Sequence, residues 1–459
     1  MDHQPQREIA YIMKGYPRLS DVFINNEIYQ LECMGLKIRI FSVIRPESVK
    51  SHAIVGRIKA VVTYLPSVTS LTGTNFLTWL AVNLPQFCRG HVQLFRLRPY
   101  AYLQTLLYCL NMSLKYRSGF WPAKKFLRDF LLAGHIALKV LEAGEISHLH
   151  GHFCHGSTTI TMFVSQLSGI PFSFTAHAKD IYLPTLNPGN LLQTKIRKAR
   201  FVVTCTIVNK EYLESLCPEI QSIYTVYHGL DTIRFSPAHY RGAGKKMPSI
   251  LSVGRFVEKK GFPYLLQACH LLKQKGYAFQ CRIIGEADEQ TDLIRQLISE
   301  LGLERTVSVE GPVTQEELAS IYKESIIFAL PCQIVENGDR DGIPNVLMEA
   351  MAMAVPVVST NISGIPELVE HRSDGLLVPQ KNANALAGAI EELLKNPDLR
   401  RRLGMAAHEK IRRSFDATKT TLLLKDLFLP YLRARSSAHS NGRVAAFESR
   451  EKSGNPSLI

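Results

Sequence analysis

The chain has 459 residues, 46% hydrophobic and 20% charged, which excludes a disordered or fibrous protein and is long for a single core. Its formal net charge of +14 calls for an anionic partner: a membrane face, nucleic acid or anionic substrates. Nine scattered cysteines without metal-finger or redox spacing, an opening MDHQPQREIAYIM with no signal-peptide run and the lack of any bilayer-length apolar segment point to the cytoplasm or a membrane surface.

The first apolar run, residues 9–13, reads as a strand and ends in Lys14-Gly15-Tyr16-Pro17. Ser20 then caps a helix whose apolar face is Phe23, Ile24, Ile28 and Leu31, and residues 36–44 resume as a strand. That is one βαβ unit. Residues 48–128 differ: they contain no Asp or Glu, yet carry Arg57, Arg89, Arg96, Arg98, Lys115 and further cations among Trp79, Phe95, Tyr100, Tyr102 and Trp121. This reads as a basic, aromatic helical insertion that packs on the first domain and suits the headgroup zone of an anionic membrane.

From Glu145 the strand–helix rhythm returns with ISHLHGHF, IPFSFTAHA, FVVTCT and SIYTVYHG. Residues 238–247 read as a linker. A second series follows: PSILSVGR, FQCRIIGE, TVSVEGP, SIIFALP, VPVVST and GLLVP. The expected architecture is α/β, with Rossmann-like domains over 1–237 and 248–415 facing each other across a cleft. A helix over 416–433 follows, and residues 434–459 read as a disordered tail.

The segment GDRDGIPNVLMEAMAMAVPVVST (338–360) is the most informative. A strand leads through a polar loop to Asp341-Gly342-Ile343-Pro344, and a helix runs from about Asn345. Free backbone N–H groups at such a start suit a diphosphate. Asp341 at the loop and Glu349, eight positions further on, can hold sugar hydroxyls and a ribose. In VGRFVEKKGF (253–262), Arg255 leaves a strand and Lys260 stands before Gly261 at the next helix start. Two such cations can neutralise a departing diphosphate. Lys259 is expected to face solvent.

These segments resemble family four of the retaining glycosyltransferases, two-domain enzymes of the GT-B type, and in particular those of bacterial exopolysaccharide and colanic-acid assembly. Asp341 stands where the family's first Glu is usual, shortening the side chain by one methylene. The resemblance implies a hexosyltransferase that moves a sugar from a nucleotide-diphosphate donor to a glycan or polyprenyl-linked acceptor with retention. It implies Arg255 and Lys260 on the diphosphate, Glu349 on the ribose, Asp341 at the sugar, and Gly342, Ile343 and Pro344 at the helix tip. The family's Gly-x-Gly strand end falls on Gly285, with Ala287 in place of the second Gly, and the base is expected near Gly311-Pro312-Val313. In IPFSFTAHAKDIY, His177 takes the position of the histidine that faces the reacting sugar, with Asp180 orienting it or the acceptor. On the acceptor side, GYPRLSDVFINNEI resembles the family's opening, which places Gly15, Ser20 and the loop between them in the cleft, joined by His152. In VYHGLDTIRFSP, His228 replaces the family's Asn.

No essential metal or other cofactor is expected. His148, His150 and His152 alternate on one strand, about 6.5–7 Å apart, too far for a common ion. Asp339-Arg340-Asp341 looks like the metal-binding Asp-x-Asp of single-domain glycosyltransferases, but Asp341 already has a role. The alternatives are a nucleotide-sugar 2-epimerase of the same fold, a sugar-nucleotide-binding scaffold, and a nucleic-acid-binding protein. The last is disfavoured, since the cations concentrate in one insertion and no recognition motif appears. The expected location is cytoplasmic, peripheral on the inner face of the plasma membrane.

Overall fold

The computed structural model describes residues 7–18, 21–46, 52–69, 75–117, 122–237 and 247–433. Ser20, most of the 238–247 linker and the 434–459 tail lie outside the described residues.

The amino-terminal half runs β1 (Glu8–Gly15), α1 (Val22–Cys33), β2 (Lys37–Ile44), β3 (Val61–Tyr64), α2 (Phe76–Asn83), α3 (Pro85–Leu97), α4 (Pro99–Lys115), α5 (Lys124–Ala143) and β4 (Ile146–His152). It continues with α6 (Gly156–Ser168), β5 (Phe172–Ala176), α7 (Lys179–Tyr182), α8 (Leu191–Lys198), β6 (Val202–Thr204), α9 (Ile207–Leu216) and β7 (Ile223–Thr225). The carboxy-terminal half runs β8 (Ser249–Val253), α10 (Phe262–Gln274), β9 (Gln280–Ile284), α11 (Thr291–Glu300), β10 (Val307–Glu310), α12 (Gln315–Glu324), β11 (Ile327–Leu330) and α13 (Asn345–Ala352). It closes with β12 (Val357–Thr360), α14 (Ile365–Leu368), β13 (Leu376–Val378), α15 (Ala383–Lys395), α16 (Pro397–Ser414) and α17 (Ala417–Leu432).

The strands form two sheets, β3-β2-β1-β4-β5-β6-β7 and β10-β9-β8-β11-β12-β13. All pairings between neighbouring strands are parallel. Strand order reverses between β1 and β4 in one sheet and between β8 and β11 in the other. Open α/β sheets bind ligands at the carboxyl ends of strands flanking such a reversal. Gly15, His152, Arg255 and Pro331 all lie at those ends.

Parallel strands are covered on both faces, so they carry apolar side chains in both directions. Strand β4 meets this requirement with histidines: Leu149 faces one core while His148, His150 and His152 face the other, all fully buried. They survive there because Ser173 and Thr175 of β5 bond His148 and His150 at 2.8–2.9 Å. Aromatic rings of Tyr11, Phe201 and Phe428 pack around them.

Phe428 belongs to α17, which returns from the second half to pack on the first beside Ile9, Tyr11 and Ile24. Asp416 caps this helix by accepting from the Thr418 and Lys419 amides. The crossing is tight: a Cβ on Gly229 would sit 2.2 Å from Ala417 Cα.

The acid-free stretch corrects one expectation. It is not wholly helical, because β3 extends the sheet beside β2. Helices α2–α5 do pack on the first half, burying Trp79, Phe87, Leu94 and Phe126. None of the helices among the described residues is long and apolar enough to cross a membrane.

Candidate active site

In the second half the site begins where β8 ends. The chain turns through Gly254 and Arg255 into a short 3-10 turn, Glu258–Lys260, and then Gly261 at φ +69°. A Cβ on Gly261 would lie 1.9 Å from Pro331 O, so only glycine lets this turn rest on the end of β11. Gly285 is constrained in the same way, since its Cβ would meet Gly254 O at 1.9 Å. Its role is therefore to let the ends of β8 and β9 pack together.

This packing delivers Lys260 to Asp341, Nζ to carboxylate at 2.6 Å. Lys259 bonds Asp341 and Asp339, each at 3.1 Å, and Lys179 from the first half approaches Asp339 at 3.5 Å. The expectation that Lys259 faces solvent is wrong: it is buried, because the turn's tight radius folds both lysines over the β11 loop. Burial works to raise the Asp341 pKa. The two ammonium groups outweigh it and hold the carboxyl well below the usual carboxylate range. Three lysines against two carboxylates leave one positive charge at this edge. Arg255 is half exposed and turns to Asp288 at 3.3 Å, so it does not join the lysine cluster in this structure.

Gly342, Ile343 and Pro344 follow, and α13 starts with Pro344 as its N-cap; no side chain among the described residues caps it. The first-turn amides thus keep the positive helix end available to an anion. Four residues into α13, Glu349 is buried and accepts from Tyr322 Oη at 3.1 Å. Burial pushes its carboxyl up to about 7, against hydrogen bonds from Tyr322 and Gln315 that pull the other way. Gln315 also accepts from Arg234 at 2.7 Å. Val313 is half-buried against the core, two positions before Gln315. Gln315 thus links Glu349 to the loop that carries Val313.

In the first half, His177 follows β5 and is buried. Its Nδ1 lies 3.2 Å from His228 Nε2, and its Nε2 has no hydrogen-bond partner among the described residues. Burial depresses the pKa of both rings, aided at His177 by His152 and His155 and at His228 by His177, so both are neutral at pH 7. Asp180 accepts from the His177 amide at 3.1 Å and the Cys154 amide at 2.6 Å. Its carboxylate is thus spent on fixing the loops after β4 and β5, and it positions His177 through the backbone. His152 pairs with Glu27 at 3.1 Å, and Tyr11 donates to the same carboxylate at 2.7 Å. Gly15 ends β1, where a Cβ would press on Ile44 at 3.2 Å.

Several residues at the site carried no assigned role in the sequence. His228 stacks on Phe23 with ring centroids 4.1 Å apart and pairs with Asn345 at the start of α13. The only signal was its place where an Asn is usual. Glu367 of α14 accepts from the Ile207 and Val208 amides at 2.7 and 3.0 Å, capping α9 from the opposite half, and from Tyr227 Oη at 2.8 Å. Gly342 lies against Cys205 and Thr206, so that a Cβ there would be 3.4 Å from each. The two halves meet here.

Among the described residues two groups could hold a metal ion, each with ligand atoms within 4.8 Å of one another: His177, Cys205 and His228, and Glu27, His150 and His152. His148 is in neither group, and His150 and His152 come within this distance together with Glu27 rather than as a three-histidine strand site. In that group, however, Ser173 and Thr175 already occupy both His150 nitrogens.

Comparison with known proteins agrees with this geometry. The family model described as Glycosyl transferases group 1 matches residues 240–410. The chain is 29% identical over 413 residues to the amylovoran biosynthesis glycosyltransferase AmsK of Erwinia amylovora, covering 89% of this chain and 96% of that one. It is 28% identical over 397 residues to the putative colanic acid biosynthesis glycosyltransferase WcaL of Escherichia coli K12, covering 83% and 89%. Among solved structures, a glycosyltransferase from Rickettsia africae superposes with a TM-score of 0.66 at 17% identity over 94% of this chain and all of that one. Anabaena HepE, solved with UDP and glucose, superposes with a TM-score of 0.65 at 13% identity over 92% and 99%. These likenesses fix the fold as two Rossmann-like halves.

Proposed function

We propose that this chain is a glycosyltransferase of group 1 that transfers a hexose, with retention, from a nucleoside-diphosphate donor to a glycan or polyprenyl-diphosphate-linked acceptor of exopolysaccharide assembly. One observation carries the reading. Lys260 and Asp341 meet at 2.6 Å beside the uncapped start of α13, at the seam where Gly342 touches the first half.

The donor lies in the second half, its base near Gly311-Pro312-Val313 and its ribose on Glu349. Its diphosphate lies against Lys260, Arg255 and the α13 amides. Lys260 must exchange Asp341 for phosphate, which frees the Asp341 carboxylate to accept from sugar hydroxyls. Arg255 reaches the diphosphate by leaving its exposed partner Asp288, a surface ion pair worth little. His177, neutral and with a free Nε2, faces the sugar; Gly15 lines the acceptor side, and the fully buried His152 stacks beside His177 rather than reaching the cleft.

The bond from the anomeric carbon to the diphosphate oxygen breaks, and the acceptor oxygen attacks from the same face. The acceptor proton passes to the departing phosphate oxygen. Lysine, arginine and the helix dipole stabilise the charge that develops there, so the route needs no divalent ion. The enzyme works at the cytoplasmic face of the plasma membrane, where a lipid-linked acceptor is presented.

Turnover of a panel of nucleotide sugars with a polyprenyl-diphosphate-glycan acceptor tests this. Lys260→Ala is expected to cut turnover about 100- to 1,000-fold, the usual loss for one group that stabilises transition-state charge. Unchanged turnover in Lys260→Ala and Arg255→Ala would refute the diphosphate site. A product of inverted anomeric configuration by NMR would refute retention.

A further inference from the structure

Helix α4 is apolar on its outer face as well as on the face that packs in the core. At roughly 100° per residue, Tyr100, Leu103, Leu107, Leu110 and Leu114 fall within an arc of about 80°. All five are exposed, Tyr100 by 74%, Leu107 by 66% and Leu114 by 58%. The opposite face is buried and partly polar: Thr105 and Ser113 are only 2% and 1% exposed, beside Cys109 and Met112. A surface helix in water normally turns charged and polar side chains outward. The inner hydroxyls are satisfied, Thr105 by Ala101 O and Ser113 by Ala123 O. The outer apolar stripe is what lacks a partner.

The neighbouring helices extend this face. Val92 and Phe95 of α3 and Leu77 and Val82 of α2 are also exposed. Arg89 and Arg96 share the exposed side of α3 with Val92. A contiguous apolar patch with a basic border marks an interaction site. Its charge identifies the occupant: residues 48–128 contain no Asp or Glu, so every ionised side chain that this segment itself sets beside the stripe is a cation. A protein partner needs only local complementarity. A uniformly anionic plane favours removal of acids across the whole segment.

We infer that α2–α4 form a lipid-contacting surface, with α4 lying in the plane of an anionic bilayer. Its leucine stripe enters the acyl boundary while Arg89 and Arg96 engage headgroup phosphates. This deepens the peripheral reading above by naming the element that makes contact.

The test is sedimentation of the full chain with vesicles of phosphatidylcholine, with and without about 30% phosphatidylglycerol. Binding is expected with the anionic vesicles and at least tenfold weaker with the neutral ones. Leu103→Glu/Leu107→Glu should reduce anionic binding at least tenfold, with circular dichroism and melting temperature unchanged. Arg89→Gln/Arg96→Gln should remove only the preference for the anionic lipid. Turnover is measured in parallel with a water-soluble acceptor analogue. Vesicle binding without turnover would count against the catalytic reading alone. Turnover without vesicle binding, or a dimer in sedimentation velocity that Leu103→Glu/Leu107→Glu dissolves, overturns the lipid surface.

Discussion

Replacing Glu349 by Gln separates what this residue costs the fold from what it gives the reaction. Its carboxyl is pushed up to about 7 by burial, from an ordinary value of 4.5. Because the folded value is the higher one, the folded state holds the proton more tightly between the two. The associated stability is complete below about 4.5 and is lost as pH rises through 7. At about 1.4 kcal/mol per unit the whole loss is about 3 kcal/mol, of which about 2 kcal/mol falls between pH 5.5 and 8.5. Gln has nothing to ionise and keeps an oxygen for Tyr322. Thermal melts should therefore show the Gln variant gaining on the wild type between those pH values, by roughly 4–8 °C in the transition of the second half. Turnover should move the other way, because the ionised carboxylate is the form that accepts from two ribose hydroxyls. The wild-type donor KM should fall as pH rises through about 7, and the variant's should lose that step. An equal melting difference at both pH values would refute the argument, since the buried charge would then cost nothing.

Asp180→Asn removes one of two charge-assisted bonds to backbone amides, which are worth about 1.5–3 kcal/mol each. A lower melting temperature and weaker turnover are expected, and a variant that melts like the wild type counts against the positioning role. Glu367→Gln keeps one acceptor oxygen where the Ile207 and Val208 amides use two, leaving one amide without an acceptor at a cost of about 1–3 kcal/mol to the contact between halves. Small-angle scattering should show a larger radius of gyration without donor, and an unchanged profile would remove Glu367 as a latch. Exhaustive chelation should leave turnover intact; a loss restored by added divalent ion would overturn the metal-free route.

Much of the fold was legible because its causes are local. Apolar runs of strand length alternate with helical patterns, and Gly261 punctuates a helix start, so the two parallel sheets could be read without contacts. The resemblance then carried the Asp341–Glu349 helix and the Lys260 turn to their places, and Lys260 and Asp341 do meet. His177 and Asp180 also lie together, though Asp180 acts on amides rather than on an acceptor. Lys259 was misread because nothing in EKKG tells which of two adjacent lysines a 3-10 turn folds inward. His228 was passed over because its partners His177 and Asn345 lie far off in the chain.

The sequence by itself determined which segments become strands and helices, where an anion could meet a helix start, and that one segment has no acid. Each of those follows from neighbours within a few residues. Only the tertiary structure decided that Asp341 is held by two lysines, that Arg255 turns to Asp288, that Glu367 closes the seam, and that α4 faces its leucines outward. Those are pairings between side chains distant in sequence, or exposures set by what a neighbouring helix covers, and the chain's periodicity is the same whichever way they fall.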